Sequence, residues 1–417
     1  MGGDVRTEEL LFVGCCGRVP SYQKRPSASI AQIRLTRGGR FAYTPPLPHG
    51  AGGRFRPAAV PGTRFRTMNR PLHVAIAGAT GAVGVEMLKT LERRNFPVAS
   101  LKLLASSRSA GKKATFRGEE ITIEEMTEAS FKGVDVALFS AGAGVSKQFR
   151  QAVVDAGAVM VDNSSAFRLE DDVPLVVPEV NPEDVKWHKG VIANPNCTTI
   201  IMLVAVAPLH RAFGLRRLVA STYQSASGAG AKGMLELLAQ TKALLAEAKD
   251  LDELAERYRD VLARIDPPKA FVDPLAFNVF PHIDVFQPNG YTKEEMKMVN
   301  ESRKMLHDPS LRISCTSVRV PSLRAHSESL NLEFSQKVTP EMVREVLATA
   351  PGVIVVDDPA NNKYPLPIDA SGHGEVLAGR IRQDVSNPDG TGIDMFVAGD
   401  QLLKGAAYNA VPIAELL

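Results

Sequence analysis

From residue 70 onward the chain alternates two hydrophobic periods: short β-branched runs, and longer stretches whose apolar positions recur about every 3.6 residues. Residues 72–77 read as a buried strand, and Gly78-Ala79-Thr80-Gly81-Ala82-Val83-Gly84 follows directly. A helical period then runs from Val85 through Met87, Leu88 and Leu91 to about Arg94. Residues 101–106 predict a second strand, 134–140 a third before a helix over 145–156, and 159–163 a fourth. Strands and helices alternating in this way predict a parallel, doubly wound α/β sheet of the Rossmann type.

The longest apolar run, residues 200–207, comes after Asn194-Pro195-Asn196-Cys197-Thr198-Thr199. Pro195 and Asn196 stop an incoming strand and Thr198-Thr199 open a buried helix, which sets Cys197 at or just before the first turn. Unpaired N–H groups and the positive helix end favour a thiolate there. Cys197 is therefore expected to titrate about one unit or more below the free value of about 8.5. Residues 218–224 read as a strand ending at Gln224, with the small residues 225–230 after it allowing close backbone approach. Residues 232–264 carry one long amphipathic helical stretch. Thr292 and Glu295 form a capping box, and Glu294 and Lys297, three apart, share a face of the helix it opens. Strands over 315–321 and up to Phe334 predict a mostly antiparallel sheet, with His326 near the turn between them. A last strand, 393–400, precedes a helix over 401–417 that returns to the first domain. The expected organisation is a Rossmann domain from 68–196 and 396–417, and an α+β catalytic and dimerisation domain from 197–395.

A glycine turn between strand and helix lets backbone approach a pyrophosphate, which then meets the N–H groups at the helix start. Gly78, Thr80, Gly81, Ala82, Val83 and Gly84 are the candidates. An NAD site usually has an acidic residue at the end of the second strand, for the ribose hydroxyl. This chain has Ser106-Ser107-Arg108-Ser109-Ala110-Gly111-Lys112 instead. Arg108 and Ser109 suit a 2′-phosphate, so NADP(H) is the expected cofactor. Arg168 leaves the carboxyl edge of the fourth strand in Ser164-Ser165-Ala166-Phe167-Arg168 and is a candidate anion contact. Of the eight histidines, His326 is the candidate base.

Composition changes this picture little. The 417 residues are 44% hydrophobic and 23% charged with a formal charge of +3, giving no sign of a nucleic-acid partner. Four cysteines with no ligand-spaced Cys/His cluster argue against a disulfide scaffold or a metal site and fit a reducing, cytoplasmic compartment. No apolar run reaches the about 18 residues of a membrane span. Residues 1–67 differ from the rest, with Asp4, Glu8 and Glu9 against ten arginines and Lys24, and with no sustained period. They are expected to be a disordered extension, with three readings: a start at Met68, an organelle-targeting leader, or a functional tail.

Eight blocks in one order resemble the bacterial aspartate-β-semialdehyde dehydrogenase family over about residues 70–417. They are Gly78 to Gly84, Arg108 to Lys112, Asp162 to Arg168, Asn194 to Cys197, Gln224 with Ser227-Gly228, Glu294 to Lys297, Arg319-Val320-Pro321 with His326-Ser327, and Gly399-Asp400-Gln401. The resemblance implies Cys197 as nucleophile and His326 as acid/base. It implies Arg168 and Lys297 on phosphate, and Gln224, Glu294 and Arg319 on the amino-acid end of the substrate. Ser227, Gly228 and Gln401 would lie on the nicotinamide side. The implied reaction is NADPH-dependent reduction of L-aspartyl-4-phosphate to L-aspartate-4-semialdehyde and inorganic phosphate through a cysteine thioester. That reaction feeds lysine, methionine, threonine and diaminopimelate synthesis, and the implied enzyme is a homodimer or homotetramer. Two other readings stand beside it: an N-acetyl-γ-glutamyl-phosphate reductase, whose family has Asn-Pro-Gly-Cys where this chain has Asn196 before Cys197, and a nucleotide-binding scaffold without catalysis.

Overall fold

A computed structural model describes residues 70–417 and the backbone of a small antiparallel ladder, β1 (Arg34–Leu35) with β2 (Phe41–Ala42). The expectations for residues 1–67 otherwise lie outside the described residues. The first sheet contains β3 (Leu72–Ala77), β4 (Val98–Ala105), β5 (Lys113–Phe116), β6 (Glu119–Glu125), β7 (Val136–Phe139), β8 (Val159–Asp162) and β9 (Val191–Ala193). Its order is β5-β6-β4-β3-β7-β8-β9, parallel throughout except for the β5–β6 hairpin. Helices α1 (Ala82–Arg93) and α2 (Ala143–Asp155) make its crossovers. The chain leaves β3 towards β4 and later resumes on the other side at β7, so the crevice where strand order reverses opens at the ends of β3 and β7.

After α3 (Cys197–Phe213), the second sheet takes β10 (Leu215–Gln224), β11 (Arg312–Arg319), β12 (His326–Phe334), β13 (Val353–Val355), β14 (Val376–Gln383) and β15 (Gly392–Gly399). The order is β11-β10-β12-β15-β14-β13, with the central pairings antiparallel and the two outer ones parallel. Over residues 200–207 helix α3 is apolar on every face and buried on every face. One continuous core joins Phe139 and Met160 of the first sheet, residues 200–207 of α3, and Leu330, Leu332 and Met395 of the second. Pro208 lies inside α3 without ending it, and Gly214 at φ 67° closes the helix.

Three expectations change. The single helix over 232–264 is three: α4 (Gly230–Glu247), α5 (Leu251–Glu256) and α6 (Tyr258–Leu262). Asp250 starts α5 by accepting from the Glu253 N–H at 2.8 Å, and the three pack around Leu237, Leu244, Val261 and Phe280. The sheet contains β15 as far as Gly399, so the return to the first domain begins there and not at Phe396. The C-terminal helix begins as a π turn, Leu403–Ala407, before its α-helical part, Tyr408–Glu415. That last helix does pack on the first sheet, with Ala410, Val411 and Ile413 joining the core of Ile76, Leu103 and Leu138. Among the described residues no helix is long and apolar enough to cross a membrane.

Candidate active site

The cofactor crevice is made of backbone. Gly78 has φ +85°, and a Cβ on it would stand 2.3 Å from the Ser140 carbonyl oxygen; one on Gly84 would stand 2.3 Å from the Gly78 carbonyl oxygen. Only glycine fits either position, and Gly81 caps α1 with no side chain on its first N–H groups. Those groups and the turn from Gly78 through Thr80, Ala82 and Val83 thus leave backbone N–H groups that an anionic group can approach. Because Leu104 pairs with Ala77, the turn Ser107–Ser109 after β4 falls beside this crevice, and Arg108 is exposed there.

Cys197 is the first residue of α3, where the asparagine before it sets the helix entry. The Asn196 side-chain oxygen accepts from the Thr198 N–H at 3.1 Å and the Thr199 N–H at 3.2 Å. Its amide nitrogen donates to Glu294 at 2.9 Å, and its backbone N–H donates to Glu301 at 2.6 Å. Both carboxylates come from α7 (Lys293–Met305), which begins with the predicted Thr292–Glu295 capping box. Arg168 is buried on the same cluster, donating to Glu301 at 3.1 Å and to the carbonyls of Asn194 and Asn163 at 2.9 Å each. Lys297 bridges Glu294 at 3.0 Å and Asp284 at 2.8 Å. Gln224 is buried, with its amide 3.4 Å from both Thr222 and Glu294.

His326 lies at the start of β12 and is fully buried. Its Nδ1 accepts from the Ser225 backbone N–H at 3.1 Å. A backbone amide can only donate, so the neutral ring carries its proton on Nε2, which has no partner among the described residues. Arg319 donates to the Ser225 carbonyl at 2.6 Å. A Cβ on Gly228 would stand 2.8 Å from the Arg319 Nη1 and 3.3 Å from the His326 Nε2, so Gly228 brings the chain hard against both. Gln401 donates to Ser227 and accepts from the Ala325 N–H at 2.9 Å. Within the π turn a Cβ on Gly405 would reach 2.7 Å from the Cys197 Cβ and 3.3 Å from that of Gln401. The sequence-predicted residues thus form two groups, the cofactor crevice and this cluster.

The electrostatics overturn one expectation. Desolvation by its surroundings, with the Glu294 charge adding, pushes the Cys197 thiol up to about 12. Arg168, Lys297 and the Thr198 N–H pull the other way without prevailing, so the helix start does not make a thiolate in the free protein. Burial also raises Glu294, but Lys297, Asn196 and Arg168 hold it below the usual carboxylate value. Burial, then the Arg319 charge, pushes His326 well below its ordinary value, so the ring is neutral.

Two contributors escaped the sequence reading. Glu301 holds both Arg168 and the Asn196 N–H; its signal was its place seven residues after Glu294, on the same helix face. Gly405 had no local signal, since its neighbour Cys197 is two hundred residues away.

Residues 73–188 match the family model described as semialdehyde dehydrogenase, NAD binding domain, and residues 206–404 the one described as semialdehyde dehydrogenase, dimerisation domain. The chain is 51% identical over 351 residues to the aspartate-semialdehyde dehydrogenase of Synechocystis sp., covering 84% of this chain and 98% of that protein. Against the Bacillus subtilis enzyme of the same name the identity is 48%, with the same coverage. A crystal structure of aspartate semialdehyde dehydrogenase II from Vibrio cholerae, complexed with ASA, superposes with a TM-score of 0.77 at 42% identity, covering 84% of this chain and 98% of that one. The residues that shape the crevice and the cysteine cluster therefore belong to a member of the aspartate-semialdehyde dehydrogenase family.

Proposed function

We propose that this chain reduces L-aspartyl-4-phosphate to L-aspartate-4-semialdehyde and inorganic phosphate, using NADPH and a thioester on Cys197. The reading rests above all on one observation: Cys197 starts a capped helix within the same cluster as a neutral histidine whose Nε2, without a partner among the described residues, carries a proton. Glu294, with Gln224 and Arg319 nearby, receives the amino-acid end of the substrate, and Arg168 and Lys297 receive its phosphate. The substrate ammonium on Glu294 cancels the charge that adds to desolvation in holding the thiol protonated, which favours the thiolate as substrate binds. The Cys197 sulfur then attacks the acyl carbon, the carbon–oxygen bond to phosphate breaks, and the thioester forms. Residues 78–84, with Arg108 and Ser109 on a 2′-phosphate and Ser227, Gly228 and Gln401 on the nicotinamide side, would hold NADPH, which would supply the hydride that reduces this thioester. His326 donates a hydrogen bond from its Nε2–H to the oxyanion of the resulting thiohemiacetal, whose carbon–sulfur bond then breaks to give the aldehyde and the Cys197 thiolate.

The dimerisation family model supports assembly as a homodimer or homotetramer, and we place the enzyme in the cytoplasm. The test is phosphate-dependent NADPH formation in the oxidative direction. Turnover of aspartate semialdehyde and none of N-acetylglutamate semialdehyde is expected. The reverse preference would transfer the chain to the acetylated substrate, and no turnover of either by folded protein would leave a scaffold.

A further inference from the structure

One row of the second sheet lies directly behind the site and takes part in no step above. In register, Ser317 of β11 pairs with Thr222 of β10, and Thr222 with Glu328 of β12. Paired side chains across a sheet stand about 5 Å apart on one face. The row lies two residues along each strand from Arg319, Gln224 and His326, so it shares their face. Ser317, Thr222 and Glu328 each have 0% exposure. Neither Glu328 carboxyl oxygen has a hydrogen-bond partner among the described residues, and neither has the Ser317 Oγ.

Orphaned polar atoms at such depth are costly, and a fold keeps them only with a partner or a use. Burial drives the Glu328 carboxyl well above the ordinary carboxylate range, which favours its neutral acid form. A neutral acid both donates and accepts, and internal water suits a polar row of hydroxyls and a carboxyl. The row also reaches the substrate cluster. Thr222 accepts from the Gln224 amide at 3.4 Å, and the same amide reaches Glu294 at 3.4 Å. Two contacts this long fix Gln224 weakly by themselves.

We propose that Glu328 is a positioning residue whose carboxyl group, through internal water shared with Ser317 and Thr222, holds the Gln224 amide in place beside Glu294. This rests on the reading of Gln224 as a substrate contact. Glu328 touches neither substrate nor cofactor and acts only through Thr222 and Gln224.

Glu328→Leu removes the hydrogen bonds and is expected to lower kcat about tenfold, with the KM for NADPH unchanged. Glu328→Gln keeps a neutral donor and acceptor and is expected to restore kcat to within about twofold of wild type. Thr222→Val should match Glu328→Leu, and the double variant should lose little more than either alone, as for members of one network. Infrared difference spectra carry the readout that a merely structural role would not move. A carboxylic-acid carbonyl stretch should be present at neutral pH, vanish in Glu328→Gln, and shift when aspartate semialdehyde binds the Cys197→Ser protein. Absence of that band, a Glu328→Gln as damaged as Glu328→Leu, or wild-type kcat in Glu328→Leu each overturns the proposal. Should Glu328→Leu not fold, the Gln and Thr222→Val variants and the spectra decide. Gln224→Ala separates the two readings: full activity there removes Gln224 as a substrate contact, whereas lost activity there beside an inert Glu328→Leu removes the proposal alone.

Discussion

The glycine turn of residues 78–84 and the cluster around Cys197 are built in opposite ways. The turn follows one strand, is made of backbone, and depends on two positions where no Cβ fits. The cluster draws on residues from Arg168 to Gly405, and its parts are buried charges that hold one another. Local backbone sites are sensitive to added atoms, whereas assembled side-chain sites are sensitive to lost charges and to anything that shifts one member.

The largest separation between the two should come from Cys197→Ser. Turnover is expected to fall by about 10⁴-fold or more, with NADPH binding unchanged by fluorescence titration. Near-wild-type rates would remove the covalent mechanism. A second measurement sharpens the electrostatic half. With its thiol held up to about 12, Cys197 in the free protein should be alkylated by iodoacetamide slowly at neutral pH, the rate rising about a hundredfold between about pH 7 and pH 9. A plateau below pH 8 would mean an activated thiolate. The linked stability follows in sign: a thiol whose pKa is higher folded than unfolded leaves stability intact below about 8.5 and removes it as pH climbs towards 12.

On the backbone side, Gly78→Ala asks for a Cβ where the Ser140 oxygen stands and for an alanine at positive φ. A loss of about 2–3 kcal/mol in denaturant melts is expected, together with lost cofactor binding. A stable variant that binds NADPH normally would show that the turn is not the cradle described. Arg108→Ala is the mildest change, because that residue is exposed and its proposed role is confined to a 2′-phosphate. NADPH should bind about tenfold more weakly and NADH equally well. Equal effects on both would remove the reason for preferring the phosphorylated cofactor.

The comparison also shows where the sequence was legible. Strand β3 was read to the residue, the Thr292–Glu295 box formed as written, and Cys197 opens its helix, because strand period, capping and helix entry are set by neighbours in the chain. The break of residues 232–264 into three helices does not follow from the amphipathic period, which runs through Asp250, whereas the structure uses that residue as the cap of α5. Resemblance supplied roles for Glu294, Lys297 and Arg319 that spacing alone did not carry.

The sequence by itself determined the order of elements, the glycines that leave room for a cofactor, and the residue types able to attack, protonate and bind anions. Tertiary structure alone decided the protonation state of that chemistry. Whether Cys197 is thiol or thiolate, which nitrogen of His326 bears the proton, and why Glu301 and Gly405 matter all depend on what stands within a few ångströms in space. Solvation and Coulomb forces act through space, and residues that meet across the shared core around α3 are scattered over more than two hundred positions of chain.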